Sequence, residues 1–381
     1  MGDDEQSCVY GLRHQARCLT AVSADTERNK FLVGTLSPRR ENEIHLLELD
    51  DDEFEFTSSV FRHPHEVWDI AACPSKAELL FTCYNEVGMD GFSRRRAKLW
   101  QMGKDAIGPE NGENETRSRK RFMVLEDVLT LTPEEPLGQW NVNKVLWCPN
   151  DAHSIITVHD SSIQHWSLQE NYSSAKSISK ITLPDTKPGF DHVSAVWNPH
   201  QPEVVLGHGC VVSGWDLRST KQTFNIENAH AVMVRAIDYN PCMPHNLVTG
   251  GDDCKARFWD VRNSREPLKE LSEHTHWIWS VAYNKTHDQL VLTSSSDNLV
   301  HLNSVVTISS AAYADNTNDY EAEELEKPAD GLVATFDQHE DSVYAVAWSC
   351  SDIWMFASLS YDGRVVMNRV PTRERYKIML G

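Results

Sequence analysis

The sequence has no long apolar run. No stretch of about 18 apolar residues, the least that lets a helix cross a bilayer, occurs in the 381 residues. The start, MGDDEQSC, lacks the basic and apolar regions of a signal peptide. The nine cysteines are scattered and include no CxxC pair, so we expect reduced thiols rather than a disulfide framework. These absences predict a cytoplasmic protein that neither spans a membrane nor is exported.

Positive charge is also scarce. The chain has 36 Lys and Arg against 56 Asp and Glu, a formal net charge of -20. An overall negative field repels phosphate backbones and anionic lipids, so we expect no nucleic acid partner and no membrane contact except through a partner protein. Two basic runs, Arg94–Arg96 and Arg117–Arg121, stand against this trend. We interpret them as parts of a solvated insertion loop, with a local anion-binding or targeting patch as the alternative.

The residues that are present form a repeat. The pattern is an apolar, strand-like run that ends in an aromatic or small residue before a polar turn, and its copies end at Ala72, Trp147, Trp197, Tyr239, Tyr283 and Trp348. Two successive spacings, 42 and 44 residues, match the repeat of about 40–45 residues that is typical of a four-stranded propeller blade. A seventh copy begins at His14 in HQARCLTA. Longer spacings coincide with two polar insertions, at about 101–137 and 311–330, the second of which includes an acidic run at 314–326.

The second half of each copy also repeats. In three copies a His lies 19 residues before a Ser or Thr, which lies four residues before an Asp. The three sets are His230, Thr249 and Asp253, then His274, Thr293 and Asp297, then His339, Ser358 and Asp362. The stretch GGDDCKARFWD, with Asp252, Asp253 and Cys254 in a row, could be a small reactive site, but its repetition favours a structural role.

No catalytic motif accompanies these residues. A Ser-His-Asp hydrolase needs one activated nucleophile, whereas these residue types recur at equal spacing, and no GxSxG turn surrounds any serine. No Gly-rich loop with Lys-Ser/Thr is present for phosphate binding. The pairs His63/His65 and His274/His276 could ligate zinc, but the first His of each occupies the repeat position. We therefore expect no catalytic residue, no metal site and no cofactor.

The repeats resemble the WD-repeat β-propeller family over nearly the whole chain, with Trp-Asp pairs at 215–216 and 259–260. The resemblance implies an all-β fold, a single seven-bladed propeller over residues 1–381, in which a strand near Val9–Leu12 completes the last blade and removes an exposed edge. It also implies that the His, Ser/Thr and Asp of a blade, with a Trp such as Trp259, form a buried hydrogen-bonded network. Gly209 replaces the Asp of blade 4, and Asn303 and Asn368 replace the Trp of blades 6 and 7, so those networks are expected to be incomplete.

In propellers of this family the position five residues after the blade His faces the mouth of the central channel. This position holds Trp68, Arg235, Trp279 and Tyr344, with Asn143 at the aligned place in blade 3, and the neighbouring positions hold Met233, Asp252, Trp277 and Tyr361. Aromatic residues and Arg dominate the energetic centres of protein interfaces. We predict a partner-binding site here, with packing between blades as the alternative role for each Trp.

Several longer stretches resemble the family of EARP and GARP complex-interacting proteins: IENAH, GDDCKARFWD, HDQLVLTSSSD, QHEDSVYAVAWS and FASLSYDGRVVMNRVP, with VYGL and FLVGT near the start. The likeness weakens across 101–137. It implies a non-catalytic adaptor of vesicle-tethering complexes in endosomal recycling and retrograde transport, a monomeric propeller in a larger assembly, held peripherally at endosomes and the trans-Golgi network. The alternative is a propeller that serves as a ubiquitin-ligase substrate receptor or binds chromatin.

Overall fold

The structure, a computed structural model, describes the following residues: 7–38, 41–50, 54–87, 91, 93–107, 122–132, 141–183, 193–313 and 329–380. Within these ranges the chain forms 28 strands, two short 3-10 helices at Val306–Ile308 and Ser310–Tyr313, and one α-helix, α1, at Thr372–Leu380. The prediction of an all-β fold is confirmed. None of the helices in the described ranges is both long and apolar enough to cross a membrane.

The strands of the described residues fall into antiparallel units of four. The first three units are β2 to β5 (Ala16–Ala21, Asn29–Thr35, Asn42–Asp50, Glu55–His63), β6 to β9 (Val67–Ala72, Leu79–Val87, Ser93–Ile107, Phe122–Thr130) and β10 to β13 (Val142–Cys148, Asp151–His159, Ser162–Leu168, Ala175–Thr182). The next two are β14 to β17 (Val193–Trp197, Glu203–His208, Val211–Asp216, Gln222–Ile226) and β18 to β21 (Val234–Tyr239, Asn246–Gly251, Ala256–Asp260, Lys269–Leu271). The last two are β22 to β25 (Ile278–Tyr283, Leu290–Ser295, Val300–Ser304, Gly331–Phe336) and β26 to β28 (Val343–Trp348, Met355–Ser360, Arg364–Arg369) with β1 (Cys8–Gly11).

The first strands of these units form a closed ring. Each of β2, β6, β10, β14, β18, β22 and β26 contacts the next in this order, and β26 contacts β2. The units are therefore the blades of a propeller, which we number 1 to 7 in the order given above. The first two blades also join at their outer edges, where Phe61 of β5 pairs in parallel with Met123 of β9.

Neighbouring blades pack closely around the ring. In three blades the second strand is buried on both sides, since every residue of β19, β23 and β27 is buried. In blade 5 a Cβ atom added to Gly250 would lie 2.6 Å from Ile278 Cγ2 at the start of the next inner strand. The same close approach joins Gly34 to Val67 and Gly207 to Val234. At these places only glycine leaves room for the adjacent blade.

Strand β1 lies at the outer edge of blade 7. It pairs antiparallel with β28, with Cys8 opposite Met367 and Gly11 opposite Arg364. The Tyr10 hydroxyl lies 3.0 Å from His45 Nδ1 of blade 1. The first and last strands of the described chain are therefore joined in one sheet, and the edge of β28 is covered.

The interpretation of residues 101–137 as a loop is wrong for 101–107 and 122–130. Strand β8 continues to Ile107 and pairs with β9, which begins at Phe122 and carries the apolar and β-branched residues that favour strands. The run Arg94–Arg96 also lies in β8, where it pairs with Tyr84–Glu86 of β7. The other basic run, 117–121, and the acidic run, 314–326, lie outside the described residues.

The repeated His, Thr and Asp of blade 5 are joined by hydrogen bonds. His230 Nδ1 lies 2.7 Å from Asp253 Oδ1, and its Nε2 lies 2.8 Å from Thr249 Oγ1. The indole of Trp259 donates to Thr249 Oγ1 over 3.0 Å. Burial alone would raise the pKa of Asp253, but the hydrogen bond from His230 holds it well below its usual range. The carboxylate therefore serves as a buried acceptor of hydrogen bonds.

Blade 6 has part of this network. His274 lies 2.9 Å from Asp297 Oδ2 and 2.8 Å from Thr293 Oγ1. Asn303 takes the place of the Trp, and neither its amide nitrogen nor its amide oxygen has a hydrogen-bond partner among the described residues. The chain of bonds therefore stops at Thr293.

In blade 7 the network includes a serine that the repeat pattern does not indicate. His339 lies 2.7 Å from Ser358 Oγ through Nε2 and 2.9 Å from Ser360 Oγ through Nδ1. Ser360 donates to Asp362 Oδ1 over 2.5 Å. A second buried serine thus stands between the imidazole and the carboxylate.

Blades 2 and 3 also contain hydrogen-bonded networks, which the sequence repeats did not predict. In blade 2 the Trp100 indole donates to Thr82 Oγ1 over 2.9 Å, and Thr82 Oγ1 lies 3.1 Å from His63 Nε2. In blade 3 the imidazole comes from within β11, since His159 Nε2 lies 2.8 Å from Thr157 Oγ1. Blade 3 does not follow the repeat spacing, because its His does not precede the inner strand.

Removal of residues 1–13 should lower the free energy of unfolding by about 2–4 kcal/mol, because β28 loses the hydrogen bonds and the packing of β1. Chemical denaturation followed by circular dichroism measures the change. Removal of residues 1–6 alone is the control, since it leaves Cys8–Gly11 in place. Equal stability of the longer deletion and the full chain would contradict a closing role for β1.

The stability of the protein should fall as the pH decreases from about 6.5 to about 4. Burial lowers the pKa of His63 from 6.5 to about 4, so over this range the unfolded chain binds a proton that the folded chain does not. From pH 7 to pH 4.5 the unfolding free energy of the unaltered protein should decrease by about 2 kcal/mol more than that of His63→Gln. Denaturation curves at the two pH values test this, with the exposed His276→Gln as control. The same pH dependence in His63→Gln and in the unaltered protein would refute the role of His63.

Candidate partner-binding site

The inner strands share an irregularity at the same place. In six blades the pairing of the first strand with the second slips by one residue near its start, for example between Val234 and Ala236 and between Ile278 and Ser280. The residues skipped by the pairing are Arg17, Trp68, Asn143, Arg235, Trp279 and Tyr344. A bulge re-aims the side chain of the skipped residue. In blade 4 the pairing of β14 with β15 is regular.

All six skipped residues line one cavity of about 550 Å³ inside the ring of inner strands. The five that the sequence predicts for this position, Trp68, Asn143, Arg235, Trp279 and Tyr344, are therefore together in the structure. Three of the four neighbouring predicted residues contact them. Trp277, which is 41% exposed, packs edge-on against Trp279 with 6.0 Å between ring centres, and Tyr361 lies 5.5 Å from Tyr344.

Asp252 is the third neighbouring residue in contact with the skipped residues, and it holds Arg235 in place. It accepts two hydrogen bonds from Arg235, 2.6 Å from Nε and 2.8 Å from Nη2. This fork-to-fork pair fixes the orientation of the guanidinium. Met233 contributes its backbone, since its carbonyl accepts the Asp252 N–H over 2.9 Å.

Two arginines that line the cavity were not predicted from the sequence repeats. Arg17 takes the bulge position in blade 1, and Arg95 of β8 enters the cavity from blade 2. Aligning blade 1 on His14 does not place Arg17 at the channel position. Aligning each blade on the buried small or β-branched residue before the bulge, Ala16 in blade 1 and Val67 in blade 2, would have predicted it. Arg95 belongs to the basic run that the sequence placed in a loop, so no signal in the repeat indicates it.

Arg17 lies among the aromatic rings of the cavity. Its guanidinium carbon is 4.5 Å from the ring centre of Tyr344, 5.4 Å from Trp279 and 5.6 Å from Trp68. Burial lowers the pKa of Arg17; the neighbouring Tyr344 opposes this, and Arg235 and Arg95 lower it further. The aromatic faces attract the cation in a site that is partly removed from water.

Arg95 is held by the next blade. It donates from Nη1 to Asn143 Oδ1 over 2.9 Å, and Asn143 donates to Asp160 Oδ1 over 2.7 Å. Its guanidinium carbon also lies 4.7 Å from the ring centre of Trp68. The Trp279 indole donates to Ser296 Oγ over 2.6 Å, so the large side chains of the cavity are positioned by specific contacts.

The arrangement is suited to binding. Among the described residues, no group of three or more His, Cys, Asp or Glu side chains is placed to share a metal ion. Aromatic rings and guanidinium groups provide stacking and charged hydrogen bonds to a partner. Asp69 also lines the cavity, and burial raises its pKa to about 6.

Comparison with known proteins gives consistent matches over nearly the whole chain. Residues 4–303 match the family described as EIPR1 beta-propeller, and residues 331–367 match WD domain, G-beta repeat. The chain is 41% identical over 394 aligned positions to EARP and GARP complex-interacting protein 1 of Homo sapiens, and 40% identical over 391 positions to the Rattus norvegicus protein of the same name. It is 39% identical over 394 positions to EARP-interacting protein homolog of Gekko japonicus. Each match covers 99% of this chain and 100% of the relative.

The two adjacent carboxylates of blade 5 should behave differently when replaced. Asp253→Ala should lower the free energy of unfolding by about 1–3 kcal/mol, because His230, the Ala231 N–H and Arg257 all lose their acceptor. Asp252→Ala should cost less stability and should reduce partner binding more, because it releases Arg235. Denaturation curves together with partner capture measure both effects. Equal losses of stability in the two variants would contradict the separation into scaffold and site.

Proposed function

The chain belongs to the EIPR1 beta-propeller family, and we propose that it is a non-catalytic adaptor that binds subunits of EARP- and GARP-type vesicle-tethering complexes. The observation that carries the proposal is the similarity to relatives named for interaction with these complexes, which extends over 99% of the chain. A relative that matches from end to end has a counterpart for every blade. The adaptor role is therefore proposed for the whole propeller.

The cavity at the channel mouth is the surface that we propose for partner binding. Its wall brings together Trp68, Trp279, Tyr344 and Arg235 from four blades. Large aromatic and Arg side chains contribute most of the binding energy in many interfaces. Trp277 extends this wall to the solvent, since 41% of its surface is exposed.

The proposed place of action follows from the proposed partner. An adaptor of tethering complexes would act in the cytoplasm, peripherally at endosomes and the trans-Golgi network, in recycling and retrograde transport. The chain would reach these membranes through its partner complex, because a net charge of -20 opposes direct contact with anionic lipids. Loss of endosomal and Golgi localisation of the tagged protein after depletion of tethering subunits would support this route.

Trp277→Ala and Trp279→Ala should each weaken capture of tethering subunits by about 5- to 30-fold, which corresponds to about 1–2 kcal/mol for an aromatic anchor. The measurement is a pull-down of tethering subunits from cell lysate by tagged, purified variants, with circular dichroism to verify the fold. Ile178→Ala is the control, because Ile178 is an exposed apolar side chain of β13, away from the channel.

Three outcomes would change the proposal. Normal capture by both Trp variants would move the binding site away from the channel mouth. Capture of cullin adaptors or histones in place of tethering subunits by the unaltered protein would favour the ubiquitin-ligase or chromatin alternative. A measurable hydrolytic activity that depends on His230 or Asp253 would contradict a non-catalytic role.

A further inference from the structure

The cavity at the channel mouth carries a charge opposite to that of the whole protein. Its wall includes the cations Arg17, Arg95, Arg235 and Lys144 and the acidic residue Asp69, while the chain has a net charge of -20. Like charges enclosed by walls of low dielectric constant produce a focused local potential. The channel mouth is therefore a cationic site on an acidic protein.

The three guanidinium groups converge on two indole rings. Arg95 and Arg17 both lie over Trp68, at 4.7 and 5.6 Å from its centre. Arg17 and Arg235 both lie over Trp279, at 5.4 and 4.7 Å. Arg17 is thus placed between two other cations, each of which shares an aromatic ring with it.

Arg17 differs from Arg235 in its electrostatic partners. Arg235 has the carboxylate of Asp252 in a two-point pair. In the described part of the chain, no carboxylate lies within ion-pair distance of Arg17, whose contacts are the rings of Tyr344, Trp279 and Trp68. A partly buried cation beside two other cations is costly unless an anion compensates it, and the guanidinium fork is suited to a carboxylate or a phosphate.

The size and the walls of the cavity favour a peptide over a small free ion. A volume of about 550 Å³ lies in the range of sites that enclose a ligand of many atoms. Trp68, Trp279 and Tyr344 offer apolar surface beside the cations. An anionic side chain on a peptide would use the cations and the rings together.

We propose that the channel mouth binds an acidic peptide segment of a partner protein, with an anionic side chain inserted between Arg17, Arg95 and Arg235. The inference rests on the proposed function in taking the partner-binding face to be the channel mouth. It adds the chemistry of the ligand and assigns the principal contact to Arg17. The carboxylate of Asp or Glu and the phosphate of a phosphorylated side chain share this chemistry.

The test is direct binding to the purified full-length protein. Fluorescein-labelled hexaglutamate, the same peptide with one central phosphoserine, and labelled hexalysine are titrated by fluorescence anisotropy. Both acidic peptides should bind, and hexalysine should not. Tighter binding of the phosphoserine peptide would identify a phosphorylated side chain as the natural ligand, and tighter binding of hexaglutamate would identify Asp or Glu. Arg17→Gln should weaken acidic peptide binding at least about tenfold, because the central cation is lost.

Arg28→Gln is the matched control. Arg28 lies beyond the other end of β2, 62% exposed in its side chain and paired with Glu48, so its removal changes the net charge equally and should alter affinity less than about twofold. Arg17→Lys keeps the charge and removes the planar fork, and it should retain part of the affinity. If Arg17→Gln proves unfolded by circular dichroism, Arg17→Lys decides the question, and undiminished binding by this variant would overturn the proposal.

Some outcomes refute the peptide-binding inference and leave the proposed function intact, and others refute the proposed function and leave the inference intact. Equal acidic peptide binding by Arg17→Gln and Arg28→Gln, or binding of inorganic phosphate without binding of either peptide, would refute an acidic peptide site at Arg17. Capture of tethering subunits by the same preparations is measured in parallel. Capture that survives Arg17→Gln refutes only the inference, whereas Arg17-dependent peptide binding without capture of tethering subunits refutes only the proposed function.

Discussion

Contact between the inner strand of one blade and the second strand of the blade before it holds the ring together. At Gly250 an added Cβ would lie 2.6 Å from Ile278 of the next blade, and the same approach recurs at Gly34 and Gly207. This packing places a buried residue such as Ile278 immediately before each bulge. Because that residue faces the neighbouring blade, the skipped residue after it is left to line the channel. The packing of the blades and the lining of the cavity are therefore two results of one arrangement.

The ring explains how side chains distant in sequence form one site. Arg17 and Tyr344 lie near opposite ends of the chain, yet the guanidinium of the first is 4.5 Å from the ring of the second. The pairing of β1 with β28 and the contact of β26 with β2 close this gap. Cations from separate blades meet only because the ring is complete, which makes the electrostatics of the channel mouth a property of the closed fold.

The polar networks and the channel cations use similar residues for different purposes. In blade 5 the neighbouring carboxylates of Asp252 and Asp253 point to different partners, Arg235 in the channel and His230 within the blade. The turn between β19 and β20 thus connects the internal scaffold to the proposed binding face. Asn303 and Asn368 in blades 6 and 7 replace the indole donor. Among the described residues, neither amide atom of Asn303 has a hydrogen-bond partner, and in Asn368 the amide nitrogen has none. The networks are consequently unequal around the ring.

The sequence by itself determined the all-β propeller, because blade repeats of about 40–45 residues and the fixed His, Thr and Asp spacing are local patterns. It also indicated the channel positions of Trp68, Asn143, Arg235, Trp279 and Tyr344, since one repeat position occupies one place in every blade. The tertiary structure alone decided the roles of Arg17 and Arg95, the pairing of Asp252 with Arg235, and the bond from His339 to Ser360. These depend on contacts between blades or on the rotation of single side chains, and neither is encoded in spacing. A repeat specifies which position a residue occupies, whereas the charge that surrounds it is set by neighbours brought together when the ring closes.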